Sequence, residues 1–461
     1  MKPQKRKCSK KYRDRLSEMP DEVIVHIISY MPIVDAVRTM LIRPFGNLWT
    51  LIPTLKFEVE DDPDDTSRSN DVGWFNIFVS NVLMLHKRTV IDKFHLLLAQ
   101  FDQRRRSKAS DDIRMWLRFA LDKQAKEIYF DDVGCEFTDS CHLPHFMSQS
   151  LITLELSYCC IYPQLQVNLG SLKKLILCHI EMSEEAFQQF ICGCPSLQEL
   201  HIEEPTINKL TFSAPNIRKL SLVVMRENQN WSLDVPNLKS LDLKIDWIPD
   251  VIDVSSIQDV YLKSLYVIVD DENELRMFNI FLEKFSRCEV FQLSLDASEP
   301  FLHSRDDLHL LQIRWKRLVL RLRIFCESCF LGVYQLMRSS KDLEELDIYT
   351  DTSLTYTSVC NTSVYNTHSL FSDQAFKASA DLPTVELSHP CVMPKLKTVT
   401  LHGYTKPWKH QLELVEFLLK SASVLEKLVI VPNECGLSAV EKLDFVMHVS
   451  NFQRCSPNAR G

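Results

Sequence analysis

The sequence predicts a mixed α/β chain: a small all-α module followed by an irregular solenoid of parallel strands, curved as a horseshoe. Three observations predict it. The pattern apolar-x-x-apolar-x-apolar returns eleven times from Leu151 onward. Helical apolar spacing, punctuated by prolines, fills residues 14–57. Glycine is scarce, 9 among 461 residues, far below the usual share of about 7%.

The helical module comes first. Ile24, Ile27, Ile28 and Met31 follow the i, i+3, i+4, i+7 spacing of one helix face. Pro20 suits the first helical position, where its missing N–H costs nothing, and Asp21 and Glu22 complement the helix dipole. Pro32 ends the helix by disfavouring α geometry at Met31. Asp35 is an expected N-cap for a second helix through Ala36, Val37, Met40 and Leu41, which Pro44 stops. A third amphipathic segment covers 45–51. Ahead of the module, residues 1–13 form a basic tail carrying Lys2, Lys5, Arg6, Lys7, Lys10, Lys11 and Arg13. A solvated tail and a nuclear-import patch both fit that composition. No apolar stretch of signal-peptide type follows it, so the expected location is nucleus and/or cytoplasm.

Residues 58–124 read as an acidic linker and a helical cap. Glu58, Glu60, Asp61, Asp62, Asp64 and Asp65 surround Pro63. Residues 71–101 look helical, 103–108 look like a charged loop, and Asp111 is an expected cap for a helix with Ile113, Trp116, Leu117 and Ala120 along one face.

The repeats occupy 125–380. Ala125/Ile128/Phe130 is a weak first member. The eleven stronger triplets run from Leu151/Leu154/Leu156 to Leu425/Leu428/Ile430 and include Leu262/Leu265/Val267 and Val290/Leu293/Leu295. Most recur every 20–29 residues or so, the period of leucine-rich repeats. Each triplet is a short strand and its approach, with inward side chains filling a shared core. The longest gap, between Leu343 and Leu396, holds a Ser/Thr-rich insertion near 350–380, with one degenerate turn at Leu382/Val385/Leu387. Residues 381–461 form the C-terminal region. Helices are expected on the outer side, for example over 183–192.

These residues carry a resemblance. Leu16, Pro20, Ile24, Ile27, Ile28, Met31 and Pro32, then Asp35, Ala36, Val37, Arg38 and Thr39, then Asn47, Leu48 and Trp49, resemble an F-box. Cys194-Pro195-Ser196-Leu197-Gln198-Glu199-Leu200 resembles the repeats of plant F-box proteins. Met393, Pro394 and Leu396, Leu401-His402-Gly403-Tyr404, and Leu425-Glu426-Lys427-Leu428 are similar to the FBD region of that group. The resemblance implies a Skp-type adaptor as partner and, through it, a cullin. It also implies adaptor-binding roles for Leu16, Pro20, Ile24, Ile27, Ile28, Met31, Pro32 and Val37. The chain would then be the non-catalytic, substrate-recruiting subunit of an SCF-type ubiquitin ligase, with an unknown protein as substrate. Between Thr39 and Asn47 the family's usual Ser-Lys-Arg-Trp run is missing. A stand-alone repeat scaffold with a degenerate F-box is therefore the second reading.

Other chemistries find little in the sequence. Gly170 and Gly193 are the closest pair of glycines, so the phosphate-cradling and nucleophile-elbow glycine motifs are absent. The net charge of −8 argues against a general nucleic-acid binder, and no apolar run is long enough for a membrane span. Cys326 and Cys329 lack two further ligands at zinc spacing, and His142 and His145 flank a proline. Neither a metal nor a cofactor is expected. Cys159, Cys160, Cys192 and Cys194 read as small core residues, and the 15 cysteines as reduced thiols rather than a disulfide framework. Outward strand residues would read the substrate: Glu155, Lys174, Glu199, His201, Lys219 and Asp242, each equally well explained as part of a solvated sheet face.

Overall fold

A computed structural model describes residues 18–42, 45–58, 72–98, 103–132, 143–207, 209–224, 230–245, 257–264, 280, 282–295, 313–322, 333–334, 336–350, 393–404, 409–432 and 438–456. The basic tail, Leu16, the Asp/Glu run after Glu58, His142, Cys326, Cys329 and the insertion with its Leu382 turn lie outside them. The chain forms two compact units, Met1–Ser196 and Leu197–Gly461.

The first unit opens with α1 (Asp21–Ile28), α2 (Ile33–Arg38) and two 3-10 turns, Thr39–Leu41 and Leu48–Leu51. Then come β1 (Thr54–Glu58), α3 (Val72–Leu85), β2 (Lys93–Leu97), α4 (Gln103–Asp122), β3 (Glu127–Asp131), β4 (Thr153–Ser157), β5 (Lys174–Cys178) and α5 (Glu184–Cys192). The five strands pair in parallel and in chain order. The second unit continues the same design. Its strands are β6 (Glu199–Glu203), β7 (Lys219–Val224), β8 (Ser240–Ile245), β9 (Asp259–Ser264), β10 (Val290–Leu295), β11 (Arg317–Leu322), β12 (Glu345–Thr350), β13 (Thr398–Tyr404) and β14 (Lys427–Pro432). These nine also pair in parallel and in order. Helices α6 (Lys409–Ser421) and α7 (Ala439–Ser450) pack against each other near its end.

One hydrogen-bond device recurs along both ladders. The carbonyl just before a strand accepts two N–H groups from the lead-in of the next repeat. Lys126 O takes Ile152 N and Thr153 N, Gln198 O takes Arg218 N and Lys219 N, and Glu344 O takes Lys397 N and Thr398 N. Each repeat thus starts in register with the last, and the period-2 alternation of the strands carries every triplet inward. Leu154, Leu156, Leu220, Leu222, Leu318 and Leu346 are all buried. Trp315 stacks on Phe291 at 4.0 Å in the core of the second unit, and its Nε1 donates to Phe285 O at 2.9 Å.

Several expectations need correction. The ladder begins at β1, inside the stretch read as the helical module, and β2 also precedes the first predicted repeat. Ile52/Leu55/Phe57 and Ile91/Phe94/Leu96 carry the same triplet, but α3 and α4 fill their crossovers and stretch the period. The predicted charged loop 103–108 is the first part of α4. The strand expected around Leu265 is instead β9, where Ile257 and Val260 point inward. Lys239 O fixes that phase by accepting from Gln258 N and Asp259 N. In β10 the inward triplet is Cys288/Phe291/Leu293, two residues from the predicted one. A slip of two keeps the same face inside.

Pro20 is the N-cap of α1 rather than its first residue. Pro32, not Asp35, is the N-cap of α2; Asp35 lies in its first turn and pairs with Arg38 at 2.9 Å. The second helix stops at Arg38 and tightens into a 3-10 turn. The third segment is only a four-residue 3-10 turn. Around α5 the expectation holds: Ser183 Oγ accepts from Ala186 N as its N-cap.

Candidate functional site

The N-terminal module has two apolar stripes on α1. Ile24 and Ile28 are 1% and 0% exposed and face inward. α1 packs on the turn Leu48–Leu51, and α2 packs on β1. Ile33, Ala36, Trp49 and Ile52 are buried with them. Thr39 Oγ1 donates to Ala36 O at 2.6 Å, which ties off the end of α2.

The second stripe stands in solvent. Val23 and Ile27 are 43% and 41% exposed, and Tyr30 is 76% exposed. Met19, just before the N-cap Pro20, is also exposed, so apolar side chains stand in solvent before, along and just after α1. Tyr30 packs edge-on against His26. A further exposed apolar run follows α2: Met40, Leu41 and Ile42, with Leu41 85% exposed. Seven or more large apolar side chains exposed in so small a unit form a candidate contact surface.

Of the residues implied to bind an adaptor, Pro20, Ile27, Met31 and Pro32 are exposed and Val37 is half-buried. Ile24 and Ile28 are corrected: they hold the module together and offer no contact surface. The sequence reading missed Met19, Val23, Tyr30, Met40, Leu41 and Ile42. A second pass at i+4 spacing from Val23 would have found the stripe.

The outward face of the repeat strands is the second candidate surface. Register sets three rows across each ladder. In the first unit Lys93 bridges to Glu127 at 2.9 Å and lies over the Tyr129 ring at 4.8 Å. Tyr129 OH donates to the same carboxylate at 2.9 Å. Burial pushes the Glu127 carboxyl up, but the bonds from Lys93 and Tyr129 outweigh it and hold the carboxyl below its usual range. Glu155 is half-exposed and Lys174 exposed on this face.

In the second unit Glu199 and Lys219 pair at 2.9 Å, and Ser221 Oγ donates to Asp242 at 3.2 Å. His201 is corrected from an open reader to a buried group. It shares its side of β6 with buried Glu203, 3.5 Å away. At the lead-in turns, Glu289, Lys316, Glu344, Lys397 and Glu426 alternate in sign from repeat to repeat. Lys316–Glu289 and Lys397–Glu344 close at 2.8 and 2.7 Å. The hydrogen bond from Lys397 holds the Glu344 carboxyl below its usual range.

The remaining chemistry is modest. His145 Nδ1 accepts from Gln166 N. Cys159, Cys160 and Cys194 are buried as expected, whereas Cys192 is exposed, which corrects its reading as a core residue. Burial pushes the Cys194 and Cys288 thiols up to about 12, so both stay protonated and unreactive. Cys178 is disulfide-bonded, which corrects the reading of all the cysteines as reduced thiols; the other described cysteines are reduced. No described helix is long and apolar enough to cross a membrane.

Comparison with known proteins finds likenesses in the repeats and near the C-terminal end. Residues 113–290 match the family model described as FBD-associated F-box protein At5g56370, LRR repeats. Residues 389–430 match the FBD model. The chain is 29% identical over 248 residues to F-box/FBD/LRR-repeat protein At4g26340 of Arabidopsis thaliana, covering 52% of this chain and 56% of the relative. It is 29% identical over 269 residues to F-box/FBD/LRR-repeat protein At2g04230 of the same plant, covering 55% and 57%. The match spans about half the length of these curated relatives. Over residues 113–290 and again over 389–430, the chain is similar to the plant F-box/leucine-rich-repeat proteins of the FBD type.

Proposed function

We propose that this chain is the non-catalytic, substrate-recruiting subunit of an SCF-type ubiquitin ligase, acting in the nucleus and/or cytoplasm. One observation carries the reading: Val23 and Ile27 of α1, with Met19 just before the helix and Tyr30 just after it, stand exposed outside the module's own core. A Skp-type adaptor covers that stripe and links the chain to a cullin. The outward faces of the two ladders hold a protein target. Recruitment then raises the effective concentration of the target's lysines near the ligase-bound ubiquitin, and the chain itself breaks no bond.

The test is binding of the purified chain to a Skp-type adaptor by titration calorimetry. Val23→Asp with Ile27→Asp puts two carboxylates on the exposed stripe and leaves Ile24 and Ile28 in place. Binding by the wild type, reduced a hundredfold or more in this folded variant, supports the reading. A folded wild type that binds no adaptor overturns it. The second reading, a stand-alone scaffold, would then lead, favoured by the departure after α2, where a 3-10 turn replaces the helix.

A further inference from the structure

Resting on that reading, we propose that the outward face of β8–β13 takes an acidic segment of the recruited protein. The register aligns six residues side by side at the C-terminal ends of these strands: Lys244, Lys263, Ser294, Arg321, Tyr349 and His402. Ser294 is buried, whereas Lys244, Arg321, Tyr349 and His402 are part-exposed and form the reachable part of the row. None of the six is acidic, in a chain whose net charge is −8. The other two rows of the same face carry carboxylates, among them Asp242, Asp259, Glu345 and Asp347.

The contrast between the two arginines of β11 is the core of the inference. Arg317 is already neutralised: its Nε and Nη2 donate to Asp347 Oδ2 at 3.0 and 2.6 Å, and Glu345 lies 3.4 Å away. Arg321, four residues on, pairs with no carboxylate among the described residues. Its guanidinium lies over the Tyr349 ring, 4.5 Å from the centroid. Tyr349 in turn stacks on His402 at 4.2 Å with the rings 2° from parallel. A guanidinium placed over an aromatic face can still offer an N–H edge to a bidentate carboxylate. Lys244, at the other end of the row, is likewise without an ion pair among the described residues.

The stack is held by a local device. Gly403 has φ +79°, and a Cβ there would meet Thr350 O at 1.9 Å. Only glycine fits, and the bulge it makes shifts the register after His402. Thr350 Oγ1 is within hydrogen-bond reach of both His402 O and Gly403 O. The region matched to FBD therefore supplies the last member of the row. It extends the repeat face rather than standing as a separate module. At about 4.8 Å per strand the row spans roughly 24 Å, the length of about seven residues of extended peptide.

The experiment uses the full chain and a fluorescein-labelled oligoglutamate peptide, read by fluorescence anisotropy at low salt. The wild type binds it and does not bind oligolysine. Arg321→Gln and Lys244→Gln each weaken binding about tenfold, the share of one charge-assisted hydrogen bond. Lys316→Gln, at the opposite end of the strands, leaves it unchanged. The proposal is overturned if the folded wild type does not bind the peptide, or if neither substitution weakens it. Equal affinity for single-stranded DNA also overturns it, since that marks a general polyanion surface. Lys244→Gln removes no described contact, so it serves even where Arg321→Gln perturbs the fold. Adaptor binding measured on the same preparation separates the two readings. An intact adaptor titration with no peptide binding sinks only this inference; peptide binding without adaptor binding sinks only the ligase role.

Discussion

The N-terminal module and the repeat strands are built from the same kinds of apolar residue, yet they finish differently. In the strands each inward side chain meets its counterpart in the next repeat, and Leu154, Leu220 and Leu346 are wholly buried. In α1 both stripes are apolar but only the Ile24/Ile28 stripe finds a neighbour. A ladder supplies its own cover, because every repeat has another beside it. Two short helices and two 3-10 turns cannot cover both sides of α1. The difference teaches that apolar spacing tells which element forms, while the amount of neighbouring structure decides whether that surface becomes core or contact.

The sharpest way to break this comparison is to place the same charge on the two stripes. Ile28→Asp buries a carboxylate without a partner, which costs more than about 4 kcal/mol and unfolds the module. Ile27→Asp changes stability by no more than about 0.5 kcal/mol. Hydrogen exchange over α1 and α2 reads both; equal protection in the two variants would erase the distinction between core and contact.

In the ladder the matching test is Trp315→Ala. Trp315 is fully buried, stacks on Phe291 and donates to Phe285 O. Its loss leaves a large cavity and removes one of two donors to Phe285 O, which keeps its bond from Cys288 N, for about 3–5 kcal/mol. The expected readout is a lower midpoint in urea melts of the second unit. A loss below about 1 kcal/mol would show that the stack can collapse around the hole.

Much of the ladder was legible because its signal is repeated. Nine of the eleven predicted triplets sit on observed strands in the predicted phase. The failures have local causes. β1 and β2 were hidden because helical crossovers stretch their spacing, and β9 and β10 because their neighbourhoods offer two apolar phases. Only the double hydrogen bond from the preceding repeat chooses between those phases. The surface of the module was half-legible. The spacing of Ile24, Ile27 and Ile28 marks a helix, but all three share an apolar nature, and burial alone separates Ile27 from the others. The Arg321–Tyr349–His402 row was not legible at all. His402 is 53 residues from Tyr349 in sequence, and only strand register across the insertion makes them neighbours.

A smaller effect follows from His86 and His95 in the first unit. Burial lowers the pKa of both below 6.5, and at His86 it outweighs the opposing hydrogen bond with Ile52 O. The folded chain therefore holds these rings neutral at a pH where the unfolded chain already protonates them. Where the unfolded state binds more protons, stability rises with pH. The contribution is complete above 6.5 and is lost as the pH falls below it toward the lowered folded-state value. Thermal melts of the full chain between roughly pH 7.5 and 5.5 should show a falling midpoint for the first unit. His86→Gln keeps a hydrogen-bond donor for Ile52 O and cannot titrate, so it should flatten that slope. A slope that neither His86→Gln nor its combination with His95→Gln changes would assign the acid sensitivity elsewhere, first to the Glu127 carboxylate with its depressed pKa. That group loses its contribution only as the pH falls through the carboxylate range, so extending the melts to lower pH tells the two apart.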